Sequence, residues 1–283
     1  MKLVSKIALL IALVLLSVLA MKFIPLEKHS GAALVGLNFV YSFNVPGVLE
    51  EAGSMAESHS PYWWLSSGGL MEITDGKGGT HQGDLPTLSR WRLLYRVTNP
   101  LDTDNGHHPQ NIFRLVSRNV WQNFREEAYF KIITNNLSES PNRNISNGIL
   151  LLSRYVDQHN LYYAGLRVDG TAIIKKKREG EYLTLAQEKV FEGEYDRHRN
   201  PSLLPKDKWL GIRMETQNMG EVVFISLYAD LDDSGEWQLL AEATDMIDRF
   251  GTPPLQNPGF AGIRTDFMDV QFKDFRVSDL PSL

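Results

Sequence analysis

The chain has 283 residues, 43% of them apolar and 22% charged, with a formal net charge of -5 and no cysteine. The mild negative charge gives no global basic field, so nucleic acid is not expected as a partner. Without cysteine there is no disulfide framework, no thiolate metal site, no cysteine nucleophile and no lipid-modified cysteine.

The first residues read as a secretory signal. Lys2 and Lys6 form a basic region, Ile7 to Ala20 an apolar stretch of 14 residues, and Val18-Leu19-Ala20 the small-residue pattern before a cut at Met21. The mature chain is then secreted, periplasmic or held at the cell surface. The rival reading is an uncleaved anchor, and only then is a membrane a partner. As a helix the stretch reaches about 21 Å, short of the roughly 30 Å hydrocarbon core, which favours cleavage. Residues 21–34 read as a linker, 35–278 as one domain and 279–283 as a tail.

Strand follows strand from there. Val35, Leu37, Phe39, Tyr41 and Phe43 alternate with Gly36, Asn38, Val40 and Ser42, a period of two that buries one face of a sheet. Similar runs are expected over 90–97, 112–118, 129–134, 148–156, 161–168, 171–177, 209–214, 222–231, 237–242, 260–267 and 270–277. Asp169-Gly170 has the composition of a two-residue hairpin turn, and Asp233-Ser234-Gly235 that of a longer one. The segments 76–83 (GKGGTHQG), 99–110, 135–147 and 196–208 are rich in Gly, Asn, Asp, Ser and Pro and read as connections. No long amphipathic helix and no alternating strand–helix pattern is legible, so an all-β sandwich is favoured over an α/β fold.

The succession "LYYAGLRVDGTAIIKKK", "WLGIRMETQNMGEVVFISLYADLDDSGEWQLLAEATD" and "GFAGIRTDFMDVQFKDFRVSD" resembles the concanavalin A-like lectin and glucanase superfamily, which includes laminin-G-like domains. The match covers the C-terminal half by motif and the N-terminal half by strand pattern alone. It implies a two-sheet antiparallel jelly roll with a concave groove, used by secreted proteins that bind or cleave polysaccharides. Because its motifs are structural, it implies a fold more firmly than an activity.

Within that frame a triplet recurs: Gly165-Leu166-Arg167, Gly211-Ile212-Arg213 and Gly262-Ile263-Arg264. In a strand, residues two apart share a face, so each Gly lies beside its Arg and the apolar residue points the other way. If the apolar side is the inter-sheet core, Arg167, Arg213 and Arg264 stand on a surface, where the Gly leaves room for a ligand or an aromatic ring. Three guanidinium forks on one concave face would bind carboxylate or sulfate groups of an acidic glycan. The alternative is that each Arg pairs with a sheet carboxylate such as Glu215, Asp230 or Asp266. The pair Tyr162-Tyr163 puts one ring outward, a platform for a sugar face, as does Trp63-Trp64. Lys175-Lys176-Lys177 either extends a basic patch through Lys175 or is a solvated strand end. The expected ligand-binding set is therefore Tyr162, Tyr163, Arg167, Lys175, Arg213, Arg264 and Asp266.

Catalytic signals are thinner. The Glu-x-Asp-x-x-Glu strand of retaining glucanases is absent, and Glu192-Gly-Glu194-Tyr-Asp196 lies beside a Pro-rich loop. A lyase would draw on His159, Tyr162, Tyr163, Arg167 and Arg264. Asp102-Thr-Asp104-Asn-Gly106 imitates the start of a calcium loop, but Phe113 occupies the twelfth position, and turn chemistry explains it better. The resemblance admits one cofactor, a structural calcium ion at Asp274. The expectation is thus a polysaccharide-binding jelly roll, with a lyase or glycoside hydrolase of the same fold as the alternative and a structural or adhesive domain as the third.

Overall fold

A computed structural model describes residues 38–281. The expected signal segment, the linker and Val35 to Leu37 lie outside the described residues. Sixteen strands, one α-helix of nine residues and one of four are present among those described. The N-terminal part runs β1 (Phe39–Tyr41), β2 (Gly47–Glu50), β3 (Trp63–Ser67), β4 (Leu70–Thr74), β5 (Lys77–Thr80) and α1 (Arg90–Thr98). The middle runs β6 (Ile112–Trp121), β7 (Phe124–Asn135), β8 (Gly148–Asp157), β9 (Asn160–Arg167), β10 (Thr171–Arg178) and β11 (Glu181–Lys189). The rest is β12 (Trp209–Met219), β13 (Val222–Asp230), β14 (Gln238–Asp245), α2 (Ile247–Phe250), β15 (Gly259–Asp266) and β16 (Met268–Asp279).

These strands form two antiparallel sheets packed as a jelly-roll sandwich. One has nine strands in the order β14-β13-β12-β7-β16-β5-β4-β2, with β1 also pairing β16; the other has seven, β11-β10-β9-β8-β15-β6-β3. Period-two alternation sends one set of side chains between the sheets. Phe130, Ile212, Ile225 and Phe272 come from the larger sheet, and Leu115, Leu151, Leu166 and Ile263 from the smaller. Burying such a side chain contributes about 1.5–3 kcal/mol, so this layer is the main source of stability. A smaller apolar layer, including Val116, Leu150, Leu152, Tyr163 and Ile173, covers the outer face of the seven-stranded sheet.

Three local expectations are corrected. Residues 90–98 form a helix, because Trp91 and Tyr95 lie one turn apart and bury one stripe, whereas a strand would have buried alternate residues. Within the segment 76–83, residues 77–80 are strand β5, whose glycines allow close packing. A Cβ on Gly78 would lie 2.4 Å from the Phe272 ring. The β9–β10 connection has three residues, closed by the Gly170 N–H donating to Arg167 O at 2.9 Å, with only Gly170 at positive φ. The two-residue type with both central φ values positive does not form.

Candidate binding cleft

Cross-strand register decides which of the singled-out residues meet. Arg264 of β15 stands opposite Leu150 of β8, Leu150 opposite Gly165 of β9, and Gly165 opposite Ile173 of β10. Tyr163 and Lys175 are direct partners one pleat away. In antiparallel sheets opposite residues share a face, so Tyr163, Arg167, Lys175 and Arg264 all project from the outer face of the seven-stranded sheet. Leu166 and Ile263 point into the inter-sheet core, as the triplet pattern implied.

Arg264, Asp266, Tyr163, Lys175 and Tyr182 line a cleft of about 440 Å³ whose wall includes Asn142, Asn144 and Asn147. The Arg264 Nε donates to Asp266 Oδ1 at 3.0 Å, and the guanidinium lies 5.6 Å from the Tyr163 ring centre. The second Asp266 oxygen is buried without a hydrogen-bond partner among the described residues. Burial pushes the Asp266 carboxyl up, against the downward pull of Arg264 and Arg114. Burial also opposes charge on Arg264, but Asp266, Tyr163 and Tyr182 outweigh it and hold the guanidinium protonated. Tyr182 stands edge-on to Tyr163, with ring centres 6.1 Å apart. Burial works to raise its hydroxyl pKa, yet the cations Arg264 and Lys177 prevail and draw it below the ordinary value. Lys175 is held below its usual range, first by burial and then by repulsion from Arg167 and Arg264. Crowding of like charge around an ammonium is relieved when an anion enters.

Other members of the expected set lie elsewhere. Tyr162 is fully buried between the sheets, where its hydroxyl donates to Asp245 and accepts from the Leu255 N–H at 2.8 Å; it offers nothing to a ligand. Arg213 belongs to the other sheet and projects from that sheet's outer face, where its Nε donates to Glu127 at 2.7 Å and its guanidinium stacks 4.0 Å from the Trp237 ring centre. The three arginines therefore do not share a face. Arg167 is on the cleft's face but is nearly buried in an ion pair with Asp169. Asp274 adopts a left-handed conformation (φ 53°) where the β16–β7 register shifts, and its nearest ionic partner is Arg276 at 4.0 Å. Among the described residues no group of three His, Cys, Asp or Glu is arranged to hold a metal ion. Asp102 and Asp104 tie their loop to the 135–147 loop: Asp102 Oδ1 accepts from Ser140 Oγ at 2.5 Å and Asp104 Oδ1 from Ser138 Oγ at 2.6 Å.

The triplet's glycines have two distinct causes. A Cβ on Gly211 would sit 2.9 Å from both the Trp237 and Tyr129 rings, so this Gly makes room for an aromatic ring. At Gly165 and Gly262 it would strike the carbonyl oxygens of Ile149 and Leu115 at 2.2 and 2.3 Å, so there the backbone of the adjacent strand requires its absence.

Sequence reasoning missed Tyr182, Arg114 and the asparagines of the 142–147 loop. Tyr182 was findable, because Leu183 and Leu185 point inward and so set Tyr182 and Thr184 outward in β11. Arg114 faces Arg264 across β6–β15, with its Nε donating to Ser66 Oγ at 2.7 Å. The asparagines carried no such signal, since a wall loop and an ordinary connection have the same composition.

No family model matches the chain, and no curated protein matches it by sequence. Among solved structures, a Bacillus subtilis protein of unknown function with a galectin-like fold is 13% identical, covering 89% of this chain and 98% of its own, with a TM-score of 0.48. Winged bean acidic lectin in complex with methyl-alpha-D-galactose is 9% identical over 87% of this chain and 99% of its own, with a TM-score of 0.46. A carbohydrate-binding module from Bacillus subtilis is 16% identical over 59% of this chain and 82% of its own, with a TM-score of 0.41.

Proposed function

We propose that the protein binds an acidic glycan in the cleft between β9, β10, β11 and β15, with Lys175 and Arg264 facing the sugar's carboxylate or sulfate. The observation that carries this reading is the convergence of two cations, two tyrosine rings and three asparagines on one open cleft of about 440 Å³. Rings supply an apolar face with a polar tip, amides supply paired donors and acceptors for hydroxyl groups, and the cations supply charge. A volume of that order suits a short stretch of saccharide. The proposed setting is extracytoplasmic, as the N-terminal sequence suggests.

The test is affinity electrophoresis of the mature protein through gels containing a uronate polymer, a sulfated polymer or a neutral glucan. Retardation by the acidic polymers, weakened at least tenfold in Lys175→Gln, is the expected result. Lys175 is the better probe because Arg264→Ala would strand the buried Asp266 carboxylate and endanger folding. Equal retardation of variant and parent would remove the cleft from the account.

A second reading is favoured by Tyr182. A phenol held below its ordinary pKa by Arg264 and Lys177 has the character of a general base for abstracting the proton alpha to a uronate carboxylate. Arg264 would then neutralise charge developing on that carboxylate. Release of unsaturated products from the uronate polymer, abolished in Tyr182→Phe while retardation persists, is what this reading requires. Retardation without release leaves a binding protein.

A further inference from the structure

Helix α1 is amphipathic with its second apolar face turned outward. Trp91 and Tyr95 fill the inner stripe against Leu85, Leu70 and Ile112. The Tyr95 hydroxyl donates to Glu51 at 2.6 Å, which pins the helix to the β2–β3 region. On the opposite side Leu93, Leu94 and Val97 are solvent-exposed, Val97 by 80%, and Leu88 just before the helix is exposed by 87%. At 100° per residue Leu93, Leu94 and Val97 fall on one side of the helix together with Arg90, and Arg96 lies next to Leu93. Nothing among the described residues covers this face.

Charge selects what would. The helix carries Arg90, Arg92 and Arg96 and no acidic residue, in a chain whose formal net charge is -5. Arg92 is spent on Leu85 O and His107. Arg90 reaches the exposed Glu50 at 3.5 Å and lies 4.8 Å from the Trp91 ring centre, with most of its side chain still in solvent, and Arg96 makes no ion pair among the described residues. Exposed leucine and valine flanked by solvent-exposed Arg90 and by Arg96 form the surface that enters the headgroup boundary of an anionic bilayer. A second copy of the chain docking face to face would instead set Arg90 and Arg96 against their own images.

We infer that α1 is a peripheral membrane-docking element for anionic lipid, independent of any anchoring by the N-terminal segment. Asp102, four residues past the helix, lines the binding cleft, so docking through α1 would hold that cleft near the lipid surface.

The absence of cysteine allows a direct test on the full chain. Val97→Cys carries a polarity-sensitive fluorophore, with Met219→Cys at the exposed end of β12 as a control site. Both are mixed with phosphatidylglycerol vesicles and with phosphatidylcholine vesicles. The expected result is a blue shift at position 97 with phosphatidylglycerol only and none at position 219. Arg90→Glu with Arg96→Glu should weaken the vesicle dependence about fivefold per arginine. A label at 97 that stays in water while the protein co-sediments would overturn the inference and assign binding to the N-terminal segment. A blue shift that grows with protein concentration without vesicles would overturn it in favour of self-association.

Discussion

At the scale of single residues, the most consequential polar group is buried where no ligand reaches. Lys176 and Asp245 are wholly buried, joined at 2.7 Å, and Tyr162 donates to the second Asp245 oxygen. Removing one partner of such a pair leaves an uncompensated charge in the core, at a cost of about 3–5 kcal/mol. Lys176→Met should therefore lower the urea midpoint sharply, and adding Asp245→Asn should restore part of the loss. Independent, additive effects in that double-mutant cycle would contradict the pairing. A second residue-scale prediction concerns pH. His108 bonds Asp104 at 2.9 Å and Asp84 at 2.8 Å. The bond to Asp104 is the main cause of its raised pKa, with burial opposing and the charges of Asp104, Asp84 and Asp269 adding. A histidine raised on folding stabilises fully below its unfolded value of about 6.5 and loses that contribution as pH rises through the folded value. Asp84 and Asp104 are lowered, so their share is lost only in acid. Thermal melting from pH 5.5 upward should show the parent losing stability through neutrality and His108→Gln following a flatter course.

At the scale of elements, β12 shows how one strand serves core and surface at once. Ile212 enters the inter-sheet layer, while Gly211 and Arg213 frame Trp237 on the outside. Gly211→Val should displace that ring, destabilise the protein by about 1–3 kcal/mol and shift tryptophan emission toward the red. Unchanged emission and midpoint would mean the ring is not seated there. Central strands β9 and β15 were legible in the sequence within one residue at each end, whereas of β7 only 129–134, half of its length, was read. Elements that were misread failed for physical reasons. Helix α1 mixes apolar and basic residues so that over eight residues both periods fit, and only its packing through Trp91 and Tyr95 decides. Strand β5 reads as a Gly-rich connection because Gly78 answers to the Phe272 and Phe43 rings and Gly79 to the Val270 carbonyl, partners outside the segment and invisible to local pattern.

At the scale of the molecule, the two-sheet architecture was legible, but the assignment of strands to sheets was not. The triplet repeat suggested three arginines on one face, and its local part held, since Leu166, Ile212 and Ile263 all enter the core. Its global part failed because β12 belongs to the nine-stranded sheet and β9 and β15 to the other. Sequence spacing carries no information on that division. What remains of the expected site is Tyr163, Lys175, Arg264 and Asp266, completed by Tyr182 and the 142–147 loop. The most direct test of this cleft is amide hydrogen exchange of the mature protein with and without a uronate oligosaccharide. Slowed exchange confined to 142–147, 161–167 and 181–185 is the predicted result. Protection around Trp209 and Trp237 on the opposite sheet, or none anywhere, would contradict it.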